Sequence, residues 1–260
     1  MPERSMWRFA VIGAALMLAV SACAEDDGTT ADDGDDGGEV TLAISSPADG
    51  TEIEGNTFAL DFAVSGIQIV GADGDTSGDT GHFHVFVDRD PLAAGATIPR
   101  EAGIIHTTDD PLLVTGLGVG EHTLTVVLGD GTHARIGDVE ASVTVDVQGP
   151  AVEATATVAD GVVTIGIEHE GFEVVAADGD ASGETGHFHV LIDPETPPAP
   201  GDTISPAEEG KIIHTTESSV EIEGLSEGDH MIWVVAGDGE HTAFDPAVMA
   251  KLTVTIEAAE

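Results

Sequence analysis

Hydrophobic and polar residues alternate in short runs along residues 39–260, and glycine, aspartate and proline clusters separate the runs. The runs are rich in Val, Leu, Phe and Thr and include residues 57–64, 83–87, 124–128 and 141–147. No stretch keeps the 3.6-residue period of an amphipathic helix. Six to eight such strands in about 105 residues are typical of a β-sandwich. The pattern therefore predicts an all-β fold of immunoglobulin-like or related Greek-key type.

The strand pattern occurs twice. Residues 72–84 (ADGDTSGDTGHFH) match residues 177–189 (ADGDASGETGHFH) at eleven of thirteen positions, and IIHTT at 104–108 occurs unchanged at 212–216. Gly149-Pro150 marks the boundary between the copies. Repetition of a whole strand pattern indicates duplication of one structural unit. We therefore predict two tandem β-sandwich domains, copy 1 at residues 39–149 and copy 2 at residues 150–260.

Histidine is the residue type that the two copies share most consistently. Ten of the eleven histidines occupy matching positions, whereas residues around them differ between the copies. The matched residues are His82, His84, His106, His122 and His133 in copy 1, and His187, His189, His214, His230 and His241 in copy 2. This matching indicates a role that both copies retain.

The spacing of these histidines favours a metal site. Residues i and i+2 of a strand point to the same side, so His82 and His84 project together about 6.6 Å apart. Neutral imidazole is a good ligand for Zn(II), Cu(II) or Ni(II). Asp88, and Asp193 in copy 2, share that face and are candidate ligands or hydrogen-bond partners of a ligand. The alternative interpretation is a structural network in which the histidines bond to strand ends and backbone carbonyls.

A second candidate cation site precedes each HxH strand. Its oxygen-bearing residues have the D-x-D-x-S-G spacing that begins a calcium loop. They are Asp73, Asp75, Ser77 and Asp79 in copy 1, and Asp178, Asp180, Ser182 and Glu184 in copy 2. His84 stands where such a loop has its bidentate glutamate, and aspartate-glycine turns also form for backbone reasons alone. Calcium binding and a plain turn both remain open at this point.

The N-terminus has the features of an export signal. Arg4 and Arg8 precede a 12-residue apolar run, Phe9–Val20, which is shorter than the roughly 20 residues of a membrane-spanning helix. The following Val20-Ser21-Ala22-Cys23 resembles a bacterial lipobox, which implies cleavage after residue 22 and lipidation of Cys23. Residues 24–38 are acidic and glycine-rich, so residues 23–38 are predicted to be a lipid anchor with a disordered tether. We expect a cell-envelope protein on the outer membrane.

Charge and cysteine content limit the possible partners. The formal net charge is −42, which disfavours nucleic acid and favours cations. Cys23 is the only cysteine, so thiolate metal sites and intrachain disulfides are excluded from the two domains. The membrane, reached through Cys23, and metal ions are the predicted partners. No protein partner is indicated.

The histidine motifs resemble a family of exported bacterial domains of unknown function, with the signature TGHHHLLID, a short IH segment and GxHTLxLxLGDxxH. Residues 80–88, 105–106 and 120–133 match it in copy 1, and residues 185–193, 213–214 and 228–241 match it in copy 2. Phe83 and Phe188 replace the middle histidine of the family triplet. The resemblance implies a domain type and no particular activity.

The sequence thus predicts a non-enzymatic, lipid-anchored protein that buffers or sequesters Cu(II) or Zn(II) at a histidine cluster in each domain. The alternative is a display or interaction module with structural histidines and calcium-stabilised loops. The HxH strand also resembles the copper strand of Cu,Zn superoxide dismutase, but the other dismutase motifs are missing, as are the common hydrolase and phosphate-loop motifs.

Overall fold

The computed structural model describes residues 39–204 and 211–257, which form strands and loops. Signal, anchor and tether, predicted for residues 1–38, lie outside the described residues. No helix in the described part has the length and apolar character to cross a membrane. Copy 1 contains β1 Thr41–Ser46, β2 Thr51–Glu54, β3 Phe58–Ser65, β4 Gln68–Ile69, β5 Thr80–Val87, β6 Ile104–Thr107, β7 Leu112–Val114, β8 Gly120–Gly129 and β9 Arg135–Gln148. Copy 2 contains β10 Ala151–Ala159, β11 Val162–Glu170, β12 Glu173–Val174, β13 Thr185–Ile192, β14 Ile212–Thr215, β15 Ser219–Ile222, β16 Gly228–Gly237 and β17 Met249–Ile256.

Each copy consists of two sheets, and the strand order is the same except that copy 1 has one additional edge strand, β2. In copy 1 one sheet is β1-β3-β7, and the other is β2-β9-β8-β5, with β4 and β6 both paired to the free edge of β5. In copy 2 the sheets are β10-β11-β15 and β17-β16-β13, with β12 and β14 both paired to β13. Strands distant in sequence are therefore neighbours, as Greek-key connections require. The predicted pair of immunoglobulin-like β-sandwiches is confirmed, and the strand order, which the sequence left open, is now defined.

The core of each sandwich lies between its two sheets, and alternation along the central strand decides which residues enter it. Phe83 and Val85 of β5 point inward and pack with Leu60 of β3 and Leu124 of β8, all fully buried. Phe188 and Val190 of β13 have the same role in copy 2. The alternate residues of β5 and β13 therefore face away from the sandwich core.

The outward face of β5 is also buried, because the β5–β6 loop folds back over it. Phe86 packs there with Ile98 of that loop, Ile104 and Val127 in a second, smaller apolar cluster. Copy 2 has a matching cluster around Leu191, Ile204 and Trp233. Burial on both faces explains why β5 is buried along most of its length, and it places His82 and His84 beneath a loop rather than in solvent.

The two copies pack against each other, and Asn56 makes a buried polar contact between them. Asn56 is fully buried. Its amide group donates to the backbone oxygens of Leu117 (3.1 Å) and Val152 (2.7 Å), and its Oδ1 accepts from the Met249 N–H (3.0 Å). One side chain thus satisfies backbone groups of both copies.

We expect Asn56→Ala to lower the free energy of unfolding by about 2 kcal/mol, because three buried backbone groups lose their partner. Urea unfolding followed by circular dichroism measures the change. The control is Thr41→Ala, which removes an exposed hydrogen bond to Ser65 (2.7 Å) and should change stability by less than about 0.5 kcal/mol. Equal effects of the two substitutions would contradict the role given to Asn56.

Candidate metal centre

Four histidines of copy 1 meet on the outward face of the β5 sheet. His82 and His84 are adjacent outward positions of β5, His106 of β6 is the register partner of His84, and His133 lies in the turn after β8. One ring nitrogen from each of the four lies within 4.8 Å of the corresponding nitrogens of the others. Strand pairing and one turn thus bring together residues 51 positions apart in the chain.

The closest approaches share one atom, Nδ1 of His133. His82 Nε2 lies 3.0 Å from it, His84 Nε2 lies 3.3 Å from it, and His106 Nδ1 lies 3.3 Å from it. A neutral imidazole nitrogen either carries one proton or offers one lone pair. The three contacts therefore cannot all be full hydrogen bonds at the same time.

His133 is held in place by an unusual backbone conformation. Its φ is +63°, in the left-handed region, and His241 in copy 2 has φ +64°. Asp130 stabilises this turn because its Oδ1 accepts hydrogen bonds from Thr132 N–H (2.8 Å) and Ala134 N–H (3.0 Å). Non-glycine residues in this region are uncommon, and such strain is concentrated at functional sites.

Glycine at the end of β8 makes room for the His84 ring. A Cβ at Gly129 would overlap the ring of His84, and a Cβ at Gly237 would overlap the ring of His189. The space that each buried imidazole occupies therefore depends on a residue without a side chain on the adjacent strand.

Burial keeps the cluster histidines neutral. Loss of hydration and, to a smaller extent, the neighbouring histidines together lower the pKa of His84 to about 3 and that of His82 to about 4. Burial also lowers the pKa of His106 and His133. The neutral ring is the form that binds a metal. Nδ1 of His82 and Nδ1 of His84 are buried without a hydrogen-bond partner.

His106 is oriented by a backbone carbonyl. Its Nε2 lies 3.1 Å from the Pro99 oxygen, to which it can only donate. The neutral ring then has its lone pair on Nδ1, the nitrogen that faces the cluster. Metal-binding histidines are commonly oriented by a partner of this kind.

Copy 2 has the same arrangement in a looser form. His187, His189 and His241 bring their ring nitrogens within 4.8 Å of one another. His214 pairs in register with His189, and its ring centroid lies 4.6 Å from that of His189, but it is not part of the three-residue group. Both ring nitrogens of His187 and of His189 are buried without a hydrogen-bond partner.

The structure places five of the predicted ligands outside these clusters: His214, and four residues that pair with one another. His122 Nδ1 contacts Asp88 Oδ2 (2.7 Å), and His122 Nε2 contacts the Gly118 oxygen (2.9 Å). His230 repeats the contact with Asp193 (2.7 Å). His122 lies near the start of β8, whereas the cluster lies at the other end of that strand. His122 therefore pairs with Asp88, and His230 with Asp193, away from the two clusters. The sequence could not separate His122 and His230 from His133 and His241, because all four are matched histidines in or just after β8 or β16.

These ion-paired histidines favour the charged form. Burial opposes protonation of His122, but its hydrogen bonds to Asp88 and Gly118 outweigh burial and raise its pKa. The hydrogen bond to Asp193 raises the pKa of His230. Both nitrogens of each ring face acceptors, so protonation completes the two hydrogen bonds.

The candidate calcium loops use their carboxylates on their own backbone. Asp73 Oδ1 accepts from Asp75 N–H (2.9 Å), Asp75 Oδ1 from Ser77 N–H (3.1 Å), and Ser77 Oγ from Asp79 N–H (3.1 Å). Asp178, Asp180, Ser182 and Glu184 repeat the pattern. Within residues 39–204 and 211–257, groups of three or more His, Cys, Asp or Glu donor atoms within 4.8 Å of one another occur only at the two histidine clusters, so the loop carboxylates do not converge in this way.

The acidic loop instead supports the turn that carries His133. Gly74 N–H donates to the Gly131 oxygen (2.9 Å), and Gly131 N–H donates to the Asp75 oxygen (2.8 Å). Gly179, Gly239 and Asp180 make the same two bonds in copy 2. Sequence reasoning missed this positioning role, and that of Asp130, although both motifs were visibly repeated.

The fold and the clusters define a tandem β-sandwich protein with one histidine cluster on the outer sheet face of each repeat. The chain belongs to the family described as a domain of unknown function, DUF4399, whose model matches residues 60–148 and 163–257. The resemblance noted from the histidine motifs is thereby confirmed. A comparison with curated proteins finds no match.

Several solved structures align with the chain at low similarity. Fibronectin(III)-like modules of Clostridium thermocellum CbhA are 17% identical, cover 84% of this chain and 94% of their own, and give a TM-score of 0.25. The FN1-FN3 domains of chicken CNTN1 are 10% identical to this chain. The alignment covers 84% of this chain and 66% of the CNTN1 chain, with a TM-score of 0.26. Domains 3 and 4 of rat CD4 are 7% identical to this chain. The alignment covers 81% of this chain and 100% of the CD4 chain, with a TM-score of 0.23. The fold assignment rests on the strand order above.

We expect the metal-free protein to lose stability as the pH falls from about 6.5 toward 4. The unfolded chain, with histidine pKa values near 6.5, binds more protons in this window than the folded clusters, whose pKa values are lowered. The raised pKa values of His122 and His230 make the folded state more stable as the pH falls, but only these two histidines have raised pKa values, whereas seven have lowered ones. The seven are His82, His84, His106, His133, His187, His189 and His214.

Urea unfolding in chelator at pH 7 and pH 5 measures the loss. The double variant His84→Gln, His189→Gln should show a smaller difference between the two pH values. Greater stability of the unsubstituted protein at pH 5 would contradict this account.

Proposed function

We propose that this protein binds a divalent transition metal, Cu(II) or Zn(II), at the histidine cluster of each repeat and buffers or sequesters it without catalysis. The observation that carries the proposal is the approach of three imidazole nitrogens to Nδ1 of His133 at 3.0–3.3 Å. A cation at the centre of these nitrogens gives every lone pair a partner, whereas hydrogen bonds among neutral rings do not.

The energetics of the apo cluster support the same role. Burying polar groups without hydrogen bonds costs free energy, about 1–3 kcal/mol per group in proteins. Both copies bury unpartnered imidazole nitrogens at matching positions on β5 and β13. In copy 2, metal binding through one nitrogen each of His187 and His189 would offset part of this cost, because both nitrogens of each ring are unpartnered. In copy 1 the unpartnered atoms are Nδ1 of His82 and of His84, and the Nε2 atoms face the cluster, so the offset does not extend to them.

The donor set supports binding rather than catalysis in copy 1. Catalytic zinc sites have three protein ligands and keep a fourth position for water or substrate, whereas closed sites have four protein ligands. Copy 1 offers four imidazoles within reach of one ion. The net charge of −42 raises the local concentration of cations and supports a role in metal capture.

We expect the purified chain to bind about two tight equivalents of Zn(II) or Cu(II) in calorimetric titration, one per cluster. His82→Ala should remove one equivalent and His187→Ala the other, because each removes a cluster ligand. The matched controls His122→Ala and His230→Ala remove a histidine of the ion pairs and should retain both equivalents. Circular dichroism verifies that each variant folds.

Binding no tighter than that of an ordinary acidic surface would contradict the proposal. The histidines would then be structural parts of a display module. Loss of one equivalent from His122→Ala would contradict the division between clusters and ion pairs.

We further propose that Cys23 is lipidated and holds the two repeats at the outer membrane of the cell envelope. The lipobox-like VSAC segment after a short apolar run supports this location, and the acidic segment after it would separate the repeats from the membrane surface.

Cys23→Ser should move the protein from the membrane fraction to the soluble fraction of fractionated cells, because it removes the only thiol for lipidation. Ser21→Thr, a change that keeps the cysteine, is the control. Unchanged membrane association of Cys23→Ser would contradict the anchor.

A further inference from the structure

We infer that the copy 1 cluster is a preformed tetrahedral site that discriminates against Cu(II) relative to Zn(II) more strongly than the copy 2 cluster does. This inference rests on the proposed metal binding and adds the identity of the ion. It depends on the relative positions of four nitrogens, His82 Nε2, His84 Nε2, His106 Nδ1 and His133 Nδ1.

The distances from His133 Nδ1 distinguish a tetrahedral arrangement of the four nitrogens from a square-planar one. With bonds of 2.0–2.1 Å, donors at the corners of a tetrahedron are all about 3.3 Å apart. In a square plane, each donor has two neighbours at about 2.9 Å and one opposite donor at about 4.1 Å. All three distances from His133 Nδ1 are 3.0–3.3 Å. His133 therefore has no opposite donor, and the four nitrogens do not form a square plane.

The surroundings keep the donors in this arrangement. His82 is 3% exposed and His84 is fully buried, so neither ring can turn freely. The Pro99 oxygen holds His106, and the Asp130 turn holds His133 on the side opposite β6. Cu(II) prefers a square-planar or tetragonal set of donors, whereas Zn(II) has no geometric preference from its d electrons and binds well in a tetrahedral set. Rigid tetrahedral donors therefore penalise Cu(II).

The copy 2 cluster provides a comparison within the same chain for the penalty on Cu(II) at copy 1. Its convergent group has three imidazoles, and the exposed His214 is outside that group. A three-imidazole set allows the remaining positions to adjust to the ion, so copy 2 should have a weaker preference for Zn(II).

The test uses two full-length variants that each retain one cluster. His187→Ala with His189→Ala retains copy 1, and His82→Ala with His84→Ala retains copy 2. Co(II) loading of the copy 1 variant should give the intense visible absorption of four-coordinate Co(II). In competition titrations, the ratio of Cu(II) affinity to Zn(II) affinity should be at least about 10-fold lower for copy 1 than for copy 2.

The outcomes separate this inference from the proposed function. Weak, six-coordinate Co(II) bands, or equal Cu(II)/Zn(II) ratios at the two clusters, would overturn the tetrahedral site while leaving metal binding intact. Failure of the unsubstituted protein to bind Zn(II), Cu(II) or Co(II) would overturn the proposed function itself. Should an alanine pair fail to fold, His84→Gln and His189→Gln provide the same comparison with smaller changes in volume.

Discussion

The structure depends on the burial of one strand on both of its faces. β5 in copy 1 and β13 in copy 2 have apolar side chains on the inner face and histidines on the outer face, and a returning loop covers the outer face. Desolvation removes water from the histidine nitrogens and keeps the rings neutral. A β-sandwich needs only its inner face to be apolar, so the covered histidine face is an added feature with a cost in stability. The proposed metal binding would give that cost a physical reason.

The cluster is built from parts that act on one another. The acidic loop before β5 bonds to the turn after β8, that turn sets the position of His133, and Gly129 leaves space for the His84 ring. Each of these features occurs in both copies. They position the imidazoles before any ion binds, and preorganisation of this kind lowers the cost of binding.

The core of each histidine cluster was predictable from the sequence, because side chains on a strand alternate between its two faces. The HxH spacing predicts that His82 and His84 share a face, and the repeat shows that both copies retain it. Which other histidines join them depends on sheet register and on one left-handed residue, His133, and neither follows from spacing. His122 and His133 are both matched histidines at an end of β8, yet only His133 reaches the cluster. The aspartate-glycine loop resembled a calcium loop because a turn that binds its own backbone uses the same residues.

The most direct test of the metal-binding account is anomalous diffraction from crystals of the zinc-loaded protein at the zinc edge. The account predicts one peak about 2.0–2.1 Å from the facing nitrogens of His82, His84, His106 and His133, and a second peak beside His187, His189 and His241. Anomalous peaks confined to surface carboxylates, with both histidine clusters empty at full zinc loading, would contradict it.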